Sequence, residues 1–184
     1  FLHQNERVNN QRAVEKIPKG RSDKPTIFIT PDQDSELAQL YTLLMDAGDR
    51  NVAVIVFHVD EVEYYSNAIK KFNISCSMHH NIAHVKELEN VLVTTYKSAQ
   101  GLEFQTVIMP NMETVNGKWF RTGEHYFIGA TRAKESLYLL VKGERLPDYF
   151  DRFPTDTFQL IDTGKLILPK IKLPKPSDDD DLPF

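Results

Sequence analysis

The chain has 184 residues, with 22 basic against 26 acidic side chains, a formal net charge of -4, 41% hydrophobic residues and one cysteine, Cys76. That size and balance fit one soluble domain with a sizeable core and a short appendage. They exclude a disulfide framework or a thiolate zinc site within the chain, and the longest apolar runs, "NVAVIVF" and "ESLYLLV", fall far below the roughly 20 residues of a membrane-spanning helix. Asp178, Asp179, Asp180 and Asp181 carry the whole charge imbalance, so the body is neutral and any binding of nucleic acid has to come from a local patch. The lone cysteine and the lack of a signal-like segment predict a reducing, cytoplasmic setting with no membrane partner.

Residues 1–25 are polar, and "KIPKGRSDKP" brings two prolines and a glycine, which predicts a leading arm. "TIFIT" (Thr26 to Thr30) reads as a strand. Pro31 and Asp32 then open a helix with Leu37, Leu40, Tyr41 and Leu44 at helical spacing, closed by Gly48. Asn51 to Phe57 is a β-branched apolar run of the kind found in strands covered on both faces, and "DEVEYYSNAIKKF" begins at Asp60 as a helix cap. Further strands are predicted at Val91 to Thr95, Thr106 to Met109 and Ser136 to Val141. Tyr126, Ala130 and Ala133, with Gly129 among them, space a helix before the last of these. The alternation predicts an α/β fold, a mainly parallel sheet with helices on both faces, whose ligands gather at the carboxyl ends of the strands. From Phe153 onward, prolines and a final aspartate run predict an extended tail over 153–184, leaving 26–152 as the folded domain.

The chain lacks the glycine-rich phosphate loop that closes in Gly-Lys-Ser or Gly-Lys-Thr, and it shows no nucleophile elbow or paired-carboxylate site. In "MHHNIAH", His80 and His84 stand four apart beside His79. Without an intervening glutamate motif they read as a polar loop, and no metal site is expected.

Two stretches carry more. "TTYKSAQGLEFQTVIMP" resembles the fifth signature motif of superfamily 1 DNA helicases of the UvrD/Rep type, and "HYFIGATRAKESLYLL" resembles their sixth. The resemblance runs from about Lys24 to Val141 and is closest over the second half. It implies a RecA-like second motor domain, lacking the phosphate loop, in an ATP-dependent helicase that translocates on single-stranded DNA. By that likeness Arg132 is the catalytic arginine finger. A permanent, planar cation suits the charge that develops on a transferred phosphoryl group. Gln100, Gly101 and Glu103, with Arg132, would line the ATP cleft, while Thr95, Lys97 and Ser98 would face DNA. Many relatives carry histidine where this chain has Lys97. Gln100 stands where UvrD itself has lysine and is similar to the RecD-like branch. The roughly 15 residues between the Ile74 region and Val91 are too few for the accessory domain that UvrD inserts there.

The resemblance further implies that the chain, which begins at Phe1, is the carboxyl-terminal portion of a larger helicase. ATP and Mg2+ would then be held with a first RecA-like domain, and the chain alone would neither hydrolyse ATP nor unwind DNA. The end, "SDDDDLPF", is similar to the acidic tip of bacterial single-stranded-DNA-binding proteins, in which Asp180, Asp181, Leu182, Pro183 and Phe184 would engage a basic pocket of a DNA-repair partner. A second reading stays open: a non-catalytic RecA-like scaffold that recruits such partners through its tail, or a tail that merely keeps the chain soluble.

Overall fold

A computed structural model of the chain describes residues 24–79, 89–113 and 124–165. In chain order the elements are β1 (Thr26–Thr30), α1 (Gln33–Ala47), β2 (Val52–Val56), α2 (Val59–Lys71), β3 (Ser77–His79), β4 (Val91–Thr95), β5 (Phe104–Met109), α3 (Glu124–Ala130), β6 (Ala133–Lys142) and β7 (Gln159–Asp162). The strands form one seven-stranded sheet in the order β3-β4-β2-β5-β6-β1-β7, and every neighbouring pair is parallel.

The uninterrupted apolar runs have the role their composition predicts: β1, β2 and β4 are buried along their whole length, as strands covered on both faces must be. Successive side chains point to opposite faces. Ala53, Ile55 and Phe57 enter a core with Leu92, Val107, Met109 and Leu137. Val52, Val54 and Val56 enter a second core with Leu40, Leu44, Val62, Tyr65 and Ile69 from α1 and α2. Ile128 and Ala130 of α3 pack on the first core, beside Phe150. From β1 the chain thus crosses the sheet in one direction with α1 and α2 on one face, and returns with α3 on the other. Helices on both faces are what right-handed crossovers in opposite directions along one sheet require.

The helix ends follow from single side chains. Asp32 caps α1, its carboxylate accepting from the Ser35 amide at 2.8 Å. The cap of α2 is His58 rather than the expected Asp60, because the Glu61 carboxylate reaches back to the amides of His58 at 2.8 Å and Phe57 at 3.0 Å. The helix α3 stops at Ala130, and Ala133, expected to extend it, opens β6 instead.

Two strands were not legible. The polar β3 pairs only β4. The strand β7 pairs β1 from Thr26↔Gln159 to Ile29↔Asp162, within the stretch expected to be an extended tail. An edge strand needs pairing on one side only, so its exposed Gln159 and Leu160 leave no burial signature. Residues 1–23 of the expected arm, His80, His84, and Asp180, Asp181, Leu182, Pro183 and Phe184 lie outside the described residues.

Gly129 shows how tightly α3 sits on the sheet. A Cβ there would lie 2.7 Å from Met109 Cε, 3.2 Å from its Sδ and 3.4 Å from Ile55 Cγ2. Gly129→Val, with no room for its branch, is expected to lose about 1–3 kcal/mol in urea unfolding. Gly129→Ala is expected to lose less, since Met109 can yield and helix propensity returns up to about 1 kcal/mol. Equal stability of the valine variant and wild type would show that α3 is free to lift.

Candidate functional site

Because β4 and β5 run parallel with β2 between them, residues 96–103 cannot form a hairpin turn. They carry the chain from the carboxyl edge of the sheet back to its amino edge, in fewer than the roughly a dozen residues such a crossing ordinarily takes. One helical turn begins the return, with Ala99 N donating to Thr95 O at 2.9 Å, followed by Gln100 N to Lys97 O at 3.3 Å and Leu102 N to Ala99 O at 3.1 Å. The Thr95 hydroxyl accepts from Ser98 N at 3.2 Å and donates to Ser98 Oγ at 3.2 Å. Buried Tyr96 and Ala99, with Leu102 beside them, seat the segment on the sheet. Gly101 has φ +82°, a backbone state that side chains resist.

The sequence-predicted residues therefore fall at two places. Thr95, Lys97 and Ser98 sit at the carboxyl edge. There Thr95 and Ser98 are buried and bonded to each other, whereas Lys97 is exposed, its Nζ 6.0 Å from the centre of the Tyr96 ring. Gln100 and Gly101 are exposed on the return path. Glu103 and Arg132 lie at the amino edge, each immediately before its strand, with Phe104 N donating to Arg132 O at 2.8 Å. Both precede their strands, so this pair stands at the edge opposite the one where ligands were expected to gather.

At the amino edge Arg132 is half-buried. Its Nε donates to Ile128 O at 3.0 Å, Nη1 to Leu102 O at 3.3 Å and Nη2 to Thr131 Oγ1 at 3.1 Å. Glu103 and Lys134 form an exposed ion pair at 2.9 Å. The hydrogen bond and charge of Lys134 hold the Glu103 carboxyl below the ordinary glutamate range, and the Arg132 charge adds to this. Gln105 completes the edge, accepting from Asn51 N at 3.1 Å and donating to Glu135 at 3.2 Å. The edge thus places a guanidinium fork, bonded to neutral oxygens of its own chain, next to a carboxylate paired with Lys134.

Sequence reasoning missed a third constellation, at the carboxyl ends of the central strands. Glu36 is fully buried, yet its carboxylate accepts from Tyr65 Oη at 2.7 Å, Gln33 Nε2 at 3.1 Å and Asn111 N at 2.9 Å, and lies 3.5 Å from Lys142 Nζ. Lys142 also reaches Gln33 Oε1 at 2.8 Å, Asn111 Oδ1 at 2.7 Å and Glu113 Oε1 at 3.0 Å. Burial is the largest influence on Glu36 and pushes its carboxyl up, against Tyr65 and Lys142, which pull it down. The neighbours β2 and β5 send their chains to opposite faces, the arrangement that opens a crevice at the carboxyl ends of such sheets. Asn111, at φ +59°, fills this one by donating its side-chain amide to Glu61. The signal for Glu36 was its register: it shares a helical stripe with Leu40, Leu43, Leu44 and Ala47, all buried.

Among the described residues, no group of three or more His, Cys, Asp or Glu converges on a metal position, and no helix is long and apolar enough to cross a membrane. No protein-family model and no curated sequence matches the chain. Solved structures do. The chain is similar to the C-terminal domain of a "possible DNA helicase" from Lactobacillus plantarum WCFS1, with TM-score 0.65 and 24% identity over 80% of this chain and 91% of that one. It is also similar to the C-terminal domain of the DEAD-box protein Dbp5, with TM-score 0.54 and 12% identity over 78% and 92% of the two chains. A third likeness is to the E. coli DEAD-box protein SrmB bound to regulator of ribonuclease activity A, with TM-score 0.50 and 19% identity over 66% and 78%. The fold is RecA-like α/β, of the kind seen in helicase carboxyl-terminal domains.

Proposed function

We propose that this chain is the second motor domain of an ATP-dependent helicase of superfamily 1, of the UvrD/RecD type, which moves on single-stranded DNA. The observation that carries the reading is the crossover 96–103, which joins Thr95, Lys97 and Ser98 at one edge of the sheet to Glu103, beside Arg132, at the other. A motor needs such a member, because a change at the nucleotide has to reach the track. Arg132 would meet the transferred phosphoryl group, Glu103 and Gln100 would face the nucleoside, and Lys97 would supply the exposed cation on the DNA side. ATP would supply the phosphoryl group for hydrolysis. Its Mg2+ would be held by a first RecA-like domain. The tail from Asp180 to Phe184 would recruit DNA-repair proteins of the kind that bind acidic, phenylalanine-terminated peptides, and the setting would be cytoplasmic.

The test is ATP hydrolysis by the intact protein with and without single-stranded DNA. Turnover stimulated by DNA, with the stimulation weakened in Lys97→Ala, is the expected result. No turnover from a folded protein with DNA present would overturn the motor reading in favour of an interaction module.

A further inference from the structure

The guanidinium of Arg132 is engaged by the chain itself. All three of its nitrogens donate inward, to Ile128 O at 3.0 Å, Leu102 O at 3.3 Å and Thr131 Oγ1 at 3.1 Å. The two carbonyls come from the end of α3 and from the crossover. The third acceptor is a side chain, and it is itself oriented: Thr131 Oγ1 donates its own proton to Ile128 O at 3.2 Å, which leaves its lone pairs turned toward Arg132. Both Thr131 and Arg132 are half-buried. Their backbones are pinned from below, Thr131 N donating to Phe127 O at 2.9 Å and Arg132 N to Gly129 O at 3.1 Å, where the close approach of Gly129 to Met109 fixes the height of α3.

We propose that Thr131 is a positioning residue which, with the Leu102 carbonyl, holds Arg132 in an inward, stored pose. Every acceptor in that pose is a neutral oxygen, and an anionic oxygen makes the stronger bond to a guanidinium. The arrangement orders the fork and still yields it to a phosphate arriving at the amino edge. Leu102 belongs to the crossover, so the pose also registers the position of that segment. This inference deepens the reading of Arg132 as the residue that meets the phosphoryl group, and it rests on that reading for its purpose but not for its geometry.

The experiment is nuclear magnetic resonance of this chain, following the Arg132 Nε–Hε signal and the rotation of its Nη groups in wild type, Thr131→Val and Thr131→Ser. Wild type is expected to show a protected, slowly rotating guanidinium. Thr131→Val is expected to speed its exchange at least about fivefold, the effect of one lost hydrogen bond on a rate, with the amide signals of β5 and β6 unchanged. Thr131→Ser, which keeps the hydroxyl, is expected to restore the wild-type value, a rescue that a merely structural role of the threonine methyl would not give. Exchange in wild type as fast as in a free arginine, or identical exchange in all three proteins, overturns the proposal. If the stored pose is seen and Arg132→Ala leaves ATP turnover of the intact protein unchanged, the pose stands and the reading of Arg132 as the residue that meets the phosphoryl group falls.

Discussion

Lys142→Met is expected to cost about 3–5 kcal/mol in urea unfolding, the range for a buried ion pair that loses one partner. The side chain of Lys142 is 21% exposed and that of Glu36 not at all, and Glu113 and Asn111 share the same ammonium. Removing the cation leaves the Glu36 carboxylate buried with only neutral donors. The sign of the pH dependence follows from burial. Glu36 titrates above the ordinary 4.5 in the folded chain, so its protonated form favours folding. That contribution is full below 4.5 and is lost as pH rises through the elevated folded value. Loss of Lys142 raises the folded value further, so the penalty of Lys142→Met should shrink in acid and grow toward neutrality. Adding Glu36→Gln should recover part of the loss at pH 7. A penalty below about 1 kcal/mol, independent of pH, would mean that solvent reaches Glu36 freely.

Arg132→Ala is expected to lower DNA-stimulated ATP turnover of the intact protein by about 10³–10⁵, the span over which arginine fingers act. Arg132→Lys should recover little, because an ammonium cannot replace a planar fork that meets two oxygens at once. Arg132 also carries weight in the fold. Its loss leaves Ile128 O and Leu102 O without their guanidinium donor, so the alanine variant should also unfold about 1–2 kcal/mol more easily. Turnover within tenfold of wild type in the alanine variant would remove Arg132 from the chemistry. Stability is to be measured alongside, so that a folding defect is not read as a catalytic one.

How much of this was written in the sequence depends on how local the cause was. Buried central strands announced themselves, because a parallel strand covered on both faces has to be apolar throughout, and Val52–Val56 and Val91–Thr95 are buried at every position. Edge strands did not: Ser77–His79 and Gln159–Asp162 are held by backbone pairing on one side, which no side-chain pattern records. The motif residues could be named from their order and spacing, yet their placement at opposite edges came only with the strand order, since the same letters would suit a hairpin if β4 and β5 were antiparallel neighbours. The Glu36 network was hidden by distance. Its members stand between three and about a hundred residues apart, and an acidic residue in the first turn of a helix ordinarily looks like a partner for the helix dipole.

One consequence of the Asn111 bridge concerns how such a domain can change over time. The gap between the carboxyl ends of β2 and β5 is bridged by an amide and a carboxylate. Regaining a pocket of its own would require altering Asn111 and Glu61 together, and Glu61 also anchors the start of α2. Neither change alone opens the space without loosening a helix or stranding a charge.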